Sequence, residues 1–319
     1  MSMRTLHINH VLSTGLVTST IFEHLINRAA AAAPPGVRVT RSLRPDRRAD
    51  VWHYHRPNLE WRLLSRSVVT VHHDLYDDRK WLALKYLLPY YREAFIIHCL
   101  NTIQQAVLEK NGVSNVCVIP HGVDRRVFPL PEHPRQLTSD RLRLGIFSRR
   151  YASGIKGEYL FEALLAQLDP RRVSFVLVGE ERGHEARIAR AQGFEADYWT
   201  RLPYRLMGEI YAKIDALLIL SRFEGGPACL PEALGSGVPV ICTPVGMCLD
   251  FVRDGANGIF LTGRPGLDGA KIMVLLDNHG SGMTALNQGA FASAAAIPSW
   301  EGVMAEWYQL YRRASAAAT

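Results

Sequence analysis

Cysteine is scarce and unpatterned in this 319-residue chain: Cys99, Cys117, Cys229, Cys242 and Cys248 are five in all, with no C-x-x-C pair. An odd, scattered set argues against a disulfide framework and fits reduced thiols in a reducing compartment. No apolar run approaches the roughly 20 residues that a bilayer-crossing helix needs. The opening Met1-Ser-Met-Arg-Thr-Leu-His-Ile8 has no apolar core of the secretory kind, so a cytoplasmic location is expected. Internal repeats are missing, and low complexity is confined to Ala29 to Ala33 and the alanine-rich terminus. No metal-ligand cluster stands out, and no metal is expected. Basic residues are dispersed apart from Arg41-Ser-Leu-Arg-Pro-Asp-Arg-Arg48, without a recognisable nucleic-acid motif, so nucleic acid is not an expected partner.

What is present is a soluble, globular composition, 48% hydrophobic and 21% charged, at about twice the length of a typical domain. The formal net charge of +7 suggests an anionic partner, and charge by itself does not choose among a nucleotide, an anionic membrane surface and the nucleic acid that the missing motif argues against. One stretch organises the rest. Ala216 to Leu220 is an apolar run of strand length, Gly225-Gly226 allows a sharp turn, and Pro227 and Pro231 fit the first turn of a helix that ends at Gly235 or Gly237. Val238 to Ile241 makes the next strand. The unit gathers unpaired backbone N–H groups at the helix start, and Glu224 and Glu232 bracket the turn.

Glu224 and Glu232, inside E-G-G-P-A-C-L-P-E-A-L-G-S-G-V-P-V, resemble the E-x7-E signature of retaining glycosyltransferases of the GT-B fold, family 4, also called glycosyl transferases group 1. The resemblance implies an α/β fold of two Rossmann-like domains facing each other across a cleft, with a C-terminal helix returning to the first. It places Glu224 against the donor sugar and Glu232 on the ribose hydroxyls, where a carboxylate can accept paired hydrogen bonds from a diol. The expected divisions are residues 1–135 for an acceptor-side domain, 136–298 for a nucleotide-sugar-binding domain and 299–319 for the returning helix. Pro129 to Pro134 is read as the start of the interdomain linker.

In the first domain, Leu6 to Val11 reads as a strand followed by Ser13-Thr14-Gly15 and a helical pattern from about Val17 to Ala32. The family often carries Gly-Gly in that loop; this chain has Gly15 alone. Ser67-Val-Val-Thr-Val-His-His-Asp74 is a strand with polar groups at its carboxyl end, where α/β sheets present ligand residues. It is similar to the family's V-x-T-x-H segment, which makes His72 the candidate near the reacting centre and His73 the second choice. His53 and His55 sit at a comparable strand end without an assigned role. Lys80 to Arg92 is aromatic, basic and helix-like until Pro89, and reads chiefly as a helix covering the sheet, with contact to an anionic bilayer as the second reading. Val116 to Phe128 resembles the segment that closes the first domain, with His121 in place of the usual Asn.

The second domain opens with the strand Leu142 to Phe147 and the loop Ser-Arg-Arg-Tyr-Ala-Ser-Gly-Ile-Lys-Gly157. Such a loop, with fixed cations and glycines, suits a diphosphate. Lys156 matches the family's lysine, and Arg150 is preferred over Arg149 as its arginine. Gly225 and Gly226 complete the diphosphate set, while Leu202 and Tyr204, in the L-P-Y loop, would line the base. The resemblance implies sugar transfer, with retention, from a UDP- or GDP-hexose to a hydroxyl acceptor such as a glycan or lipid-linked glycan of a bacterial surface polysaccharide. The donor is a substrate, so no cofactor is expected, and the domains are expected to close over it. Rival readings are a nucleotide-sugar epimerase of the same fold and a non-catalytic nucleotide-sugar-binding subunit.

Overall fold

The computed structural model describes residues 5–12, 21–77, 79, 81–137, 139 and 141–317. The Ser13-Thr14-Gly15 loop and the start of the helix expected after it lie outside the described residues. The chain divides into two compact units, one made of residues 1–121 and 300–319, the other of 122–299.

The first unit holds a six-stranded parallel sheet. Its strands are β1 (Leu6–Val11), β2 (Val37–Ser42), β3 (Val51–Tyr54), β4 (Ser67–Val71), β5 (Ile96–Cys99) and β6 (Val116–Val118), in the order β2-β1-β3-β4-β5-β6. Valine and isoleucine dominate β4 and β5, and every residue of both strands is buried, as strands covered on both faces require. The order reverses between β1 and β3, where His10 and His53 are register partners. The C-terminal helix Trp300–Ala316 belongs to this unit. Its buried residues Trp300, Val303, Met304, Trp307, Tyr308, Leu310, Tyr311 and Ala314 recur at helical spacing and share a core with Ile8, Val51 and Val68.

Pro89 does not end the helix expected before it. The helix runs Leu84–Glu93 with Pro89 inside, anchored on either side by buried Leu87 and Tyr91. Burial of those two side chains outweighs the single backbone hydrogen bond that proline removes.

The second unit repeats the architecture with β7 (Leu142–Phe147), β8 (Val173–Val178), β9 (Glu195–Trp199), β10 (Ala216–Ile219), β11 (Val240–Cys242) and β12 (Gly258–Phe260). The order β12-β11-β10-β7-β8-β9 is all parallel, with its reversal between β7 and β10. Ligands of open α/β sheets bind outside the carboxyl ends of the strands at such a reversal, which here means the loops after β7 and β10.

Residues 122–135 pack with the second unit rather than closing the first. Arg125 donates to the carbonyls of Gly235, Ala294 and Ile297, and Arg135 Nη1 donates to Tyr211 O at 3.0 Å. Phe128 stands edge-on to Tyr211, ring centroids 5.2 Å apart. The proline-rich run read as a linker is therefore flanked by arginines fixed to one body.

Candidate functional site

The loop after β7, residues 148–157, is held from beneath by Arg182. This fully buried guanidinium donates from Nε to Ser148 O at 2.8 Å and from Nη2 to Ser148 Oγ at 2.9 Å. It also pairs with Glu185 at 3.4 Å and Glu158 at 3.9 Å, and Glu158 Oε1 accepts the Tyr151 N–H at 2.8 Å. Burial lowers the Arg182 pKa, and the two carboxylates counter that effect. Nothing in the sequence singled out Arg182, because an arginine four residues past a strand looks like a solvated one. Gly157 closes the loop in the left-handed region, φ 79; a Cβ there would stand 2.0 Å from Leu220 O, so only glycine lets this turn meet the end of β10.

Lys156, one residue earlier, reaches across the sheet reversal to Glu224. Its Nζ bonds Glu224 Oε1, and the same oxygen accepts Ser221 Oγ–H at 2.9 Å. Burial pulls the Lys156 pKa down, but the adjacent carboxylate more than offsets it and leaves the ammonium above its ordinary value. The pair is held in register by the loop after β11. Thr243 Oγ1 donates to Ser221 O at 2.6 Å, and Gly246 packs against the Glu224-Gly225 backbone.

The helix carrying the second acid spans Cys229–Gly235, as the proline and glycine positions predicted. Glu232 Oε2 accepts the Tyr211 hydroxyl at 2.9 Å; burial and the adjacent carboxylate keep that phenol protonated. Cys229 lies between the acids, and burial, with both glutamates adding, pushes its thiol far above the ordinary range.

The two candidate arginines are separately neutralised. Arg150 Nε engages fully buried Glu185 at 3.0 Å, whereas Arg149 pairs at 3.3 Å with Glu180, which also accepts from Arg201. Tyr204 packs edge-on to Phe128 at 5.5 Å, and Leu202 is half-buried beside it in sequence. The second unit thus brings Glu224 and Lys156 together, and holds Arg150 on Glu185, which Arg182 shares, and Arg149 on Glu180, which Arg201 shares. A cavity of about 640 Å³ borders this cluster, lined in part by Gly157, Ser221, Thr243 and Pro265. Its lining shares Gly157 and Ser221 with the charged loops, but the Lys156–Glu224 pair is not part of it.

His72 belongs to the first unit, just past β4. Gln104 fixes the backbone on either side of it, donating to Val71 O at 3.1 Å and His73 O at 2.7 Å. Its ring lies edge-on to Phe22, and Nε2 is 2.9 Å from His55 Nδ1. Burial, with His55 and Arg56 adding, drives its pKa well below the ordinary 6.5, so the imidazole is neutral. His55 and His53, left without a role by the sequence, prove to be its buried neighbours.

Residues 142–278 match the family model of "Glycosyl transferases group 1". No curated protein matches the chain. Among solved structures, sucrose-phosphate synthase from Thermosynechococcus elongatus is similar over 99% of this chain and 100% of its own, at 16% identity and TM-score 0.77. Anabaena HepE in complex with UDP and glucose is similar over 97% and 100%, at 15% identity and TM-score 0.70. A glycosyltransferase from Rickettsia africae is similar over 99% and 100%, at 12% identity and TM-score 0.68. At these identities the likeness is one of fold: two parallel six-stranded Rossmann-like sheets of the GT-B type, as the motifs implied.

Proposed function

We propose that this chain is a retaining glycosyltransferase of family 4 that moves a hexose from UDP- or GDP-hexose to a hydroxyl acceptor. The observation that carries the reading is the Lys156–Glu224 pair at the β7/β10 reversal, within the stretch matched by the family model. A donor entering there meets cations from the loop after β7, Lys156 with Arg149 and Arg150, and a carboxylate from the loop after β10, Glu224.

In the reaction the bond between the anomeric carbon and the β-phosphate oxygen breaks, and a bond to the acceptor oxygen forms on the same face. The acceptor proton leaves with the departing diphosphate. Lys156 and Arg150, with Arg149 beside it and the backbone at Gly225 and Gly226, stabilise charge building on that diphosphate. Glu224 opposes the positive charge growing on the sugar, Glu232 takes the ribose hydroxyls, and Leu202 and Tyr204 border the base. His72 contributes from the first unit. With cations supplied by side chains, transfer is expected to persist in EDTA.

The acceptor is a glycan or lipid-linked glycan, and the protein works in the cytoplasm, in part at the membrane face. Trp61, Tyr76, Trp81 and Tyr86 are exposed large aromatics of the first unit; of these Tyr86 lies, beside Lys85, on the helix Leu84–Glu93 that buried Leu87 and Tyr91 tie to the core. No helix among the described residues is long and apolar enough to cross a membrane.

The test is incubation with UDP- and GDP-hexoses and a panel of hydroxyl acceptors, with NMR of the product's anomeric centre. Retained configuration supports the proposal. Solvent deuterium entering the donor without acceptor would identify an epimerase instead, and donor binding without turnover a non-catalytic subunit.

A further inference from the structure

The carboxyl ends of β1, β3 and β4 enclose an unbroken hydrogen-bonded chain. From the interior outward, Ile119 O meets His98 Nε2 at 2.6 Å, and His98 Nδ1 meets Thr70 Oγ1 at 2.9 Å. Thr70 Oγ1 meets His53 Nε2 at 2.6 Å, and His53 Nδ1 meets Tyr311 OH at 2.8 Å. Tyr311 OH meets His10 Nε2 at 3.4 Å, and His10 Nδ1 meets His55 Nε2 at 3.0 Å. His55 Nδ1 then meets His72 Nε2 at 2.9 Å. The nearest nitrogens of His10, His53 and His55 lie within 4.8 Å of one another, a spacing that a metal could use. Both nitrogens of each ring already have protein partners, however, so the cluster is satisfied as a relay without an ion.

All five rings are neutral, because burial depresses each imidazole's pKa. A neutral imidazole has one donor and one acceptor, and each hydroxyl has a single hydrogen. The far end is a carbonyl, which only accepts. His98 must therefore be protonated on Nε2, so Thr70 donates to His98 Nδ1 and accepts from His53 Nε2. Tyr311 must then donate to His53 Nδ1 and accept from His10 Nε2. His10 Nδ1 accepts from His55 Nε2, and His55 Nδ1 accepts from His72 Nε2.

From this we infer that Ile119 O fixes the tautomer of His72, which carries its hydrogen on Nε2 and presents Nδ1 as a bare acceptor. His55, His10, Tyr311, His53, Thr70 and His98 are positioning residues. His72 thus takes a hydrogen bond from a sugar or acceptor hydroxyl and offers none to a phosphate oxygen. The reverse polarity would set the His10 Nε2 lone pair against the lone pairs of Tyr311, whose hydrogen is already used. The tautomer stands on the first unit alone; its bearing on transfer rests on the role proposed for His72.

The test is 15N NMR of the full chain with labelled histidine, the His72 signals being those lost in His72→Asn. The expected result is a protonated Nε2 and a bare Nδ1, with Tyr311→Phe and Thr70→Val each mixing the two tautomers and Thr70→Ser preserving one. Transfer should follow, with kcat several-fold lower in Tyr311→Phe at unchanged donor KM, and restored in Thr70→Ser relative to Thr70→Val. A proton on Nδ1 of wild-type His72, or a tautomer unmoved by Tyr311→Phe, overturns the relay whatever the activity. The assigned tautomer with transfer indifferent to its loss upholds the relay and removes His72 from the proposed reaction.

Discussion

Gly246 sits with φ 47, and a Cβ built on it would lie 2.3 Å from Glu224 O and 2.6 Å from Gly225 O. The loop after β11 therefore touches the backbone of the acid-bearing turn where any side chain would push that turn aside. Left-handed backbone alone costs an alanine about 1–2 kcal/mol. Gly255 supplies the comparison, since it has φ 76 with nothing within 4 Å of its Cβ position. We expect Gly255→Ala to lose only that dihedral cost and to keep full transfer. Gly246→Ala should lose more stability and at least tenfold in kcat, through displacement of Glu224. Thermal unfolding and initial rates measure the two effects; equal behaviour of the two variants would count against the contact.

The Lys156–Glu224 pair couples stability to chemistry. Both side chains are mostly buried, 21% and 12% exposed. Removing one partner strands the other, a loss of about 3–5 kcal/mol for a buried pair and less here because some solvent reaches both. Lys156→Met and Glu224→Gln should each destabilise the second unit, and the double variant should recover about 1–3 kcal/mol of that loss. Transfer should stay lost in all three. The raised Lys156 pKa gives a sign as well: the pair's contribution is complete below about 10.5, the ordinary lysine value, and is lost as pH rises through the folded-state pKa. Recovery of transfer in the double variant would show that the pair only holds the fold.

The two arginines should separate kinetically. Arg150 is tied through Nε to an acid that the buried Arg182 also holds, which fixes its guanidinium. Arg149 shares the more open Glu180 with Arg201 and has to be released before it can serve a ligand. Arg150→Ala is expected to reduce transfer by at least tenfold, as for loss of one preorganised charge, and Arg149→Ala by less. The opposite ranking of kcat/KM would assign the diphosphate contact to Arg149.

How far the sequence spoke depended on how local each signal was. Gly225-Gly226, Pro227 and Pro231 act on their own backbone, so the strand–turn–helix of the second unit was legible, as was the polar end of β4. Lys156 and Glu224, 68 positions apart, were each recognisable from motif, yet their bond depends on β7 lying beside β10. Arg182 and Tyr211 carried no signal, because their burial comes from tertiary packing. The same is true of Tyr311, whose helical spacing marked it for burial but whose hydroxyl finds His53 only when the last helix joins the first unit. Pro89 misled because a local rule lost to the burial of its neighbours.

The buried histidines make the first unit sensitive to acid. Burial lowers the folded-state pKa to about 3 for His10 and His121 and about 4 for His98, and drives those of His53, His55 and His72 well below 6.5. Unfolded histidine titrates near 6.5, so below that pH the unfolded chain binds protons that the folded unit refuses. Depressed folded values mean that stability is intact above about 6.5 and falls as pH drops toward 4 and 3. Each histidine that stays neutral in the folded unit adds to that fall, by on the order of 1 kcal/mol per pH unit. Near-ultraviolet circular dichroism of buried Trp300 and Trp307 should report cooperative loss as pH falls from about 6.5 toward 4. The second unit contains none of these six histidines and should hold out longer. An aromatic signal that stays flat to pH 4 would mean that the folded unit takes up protons at these rings, and that the neutral relay ending at His72 does not exist.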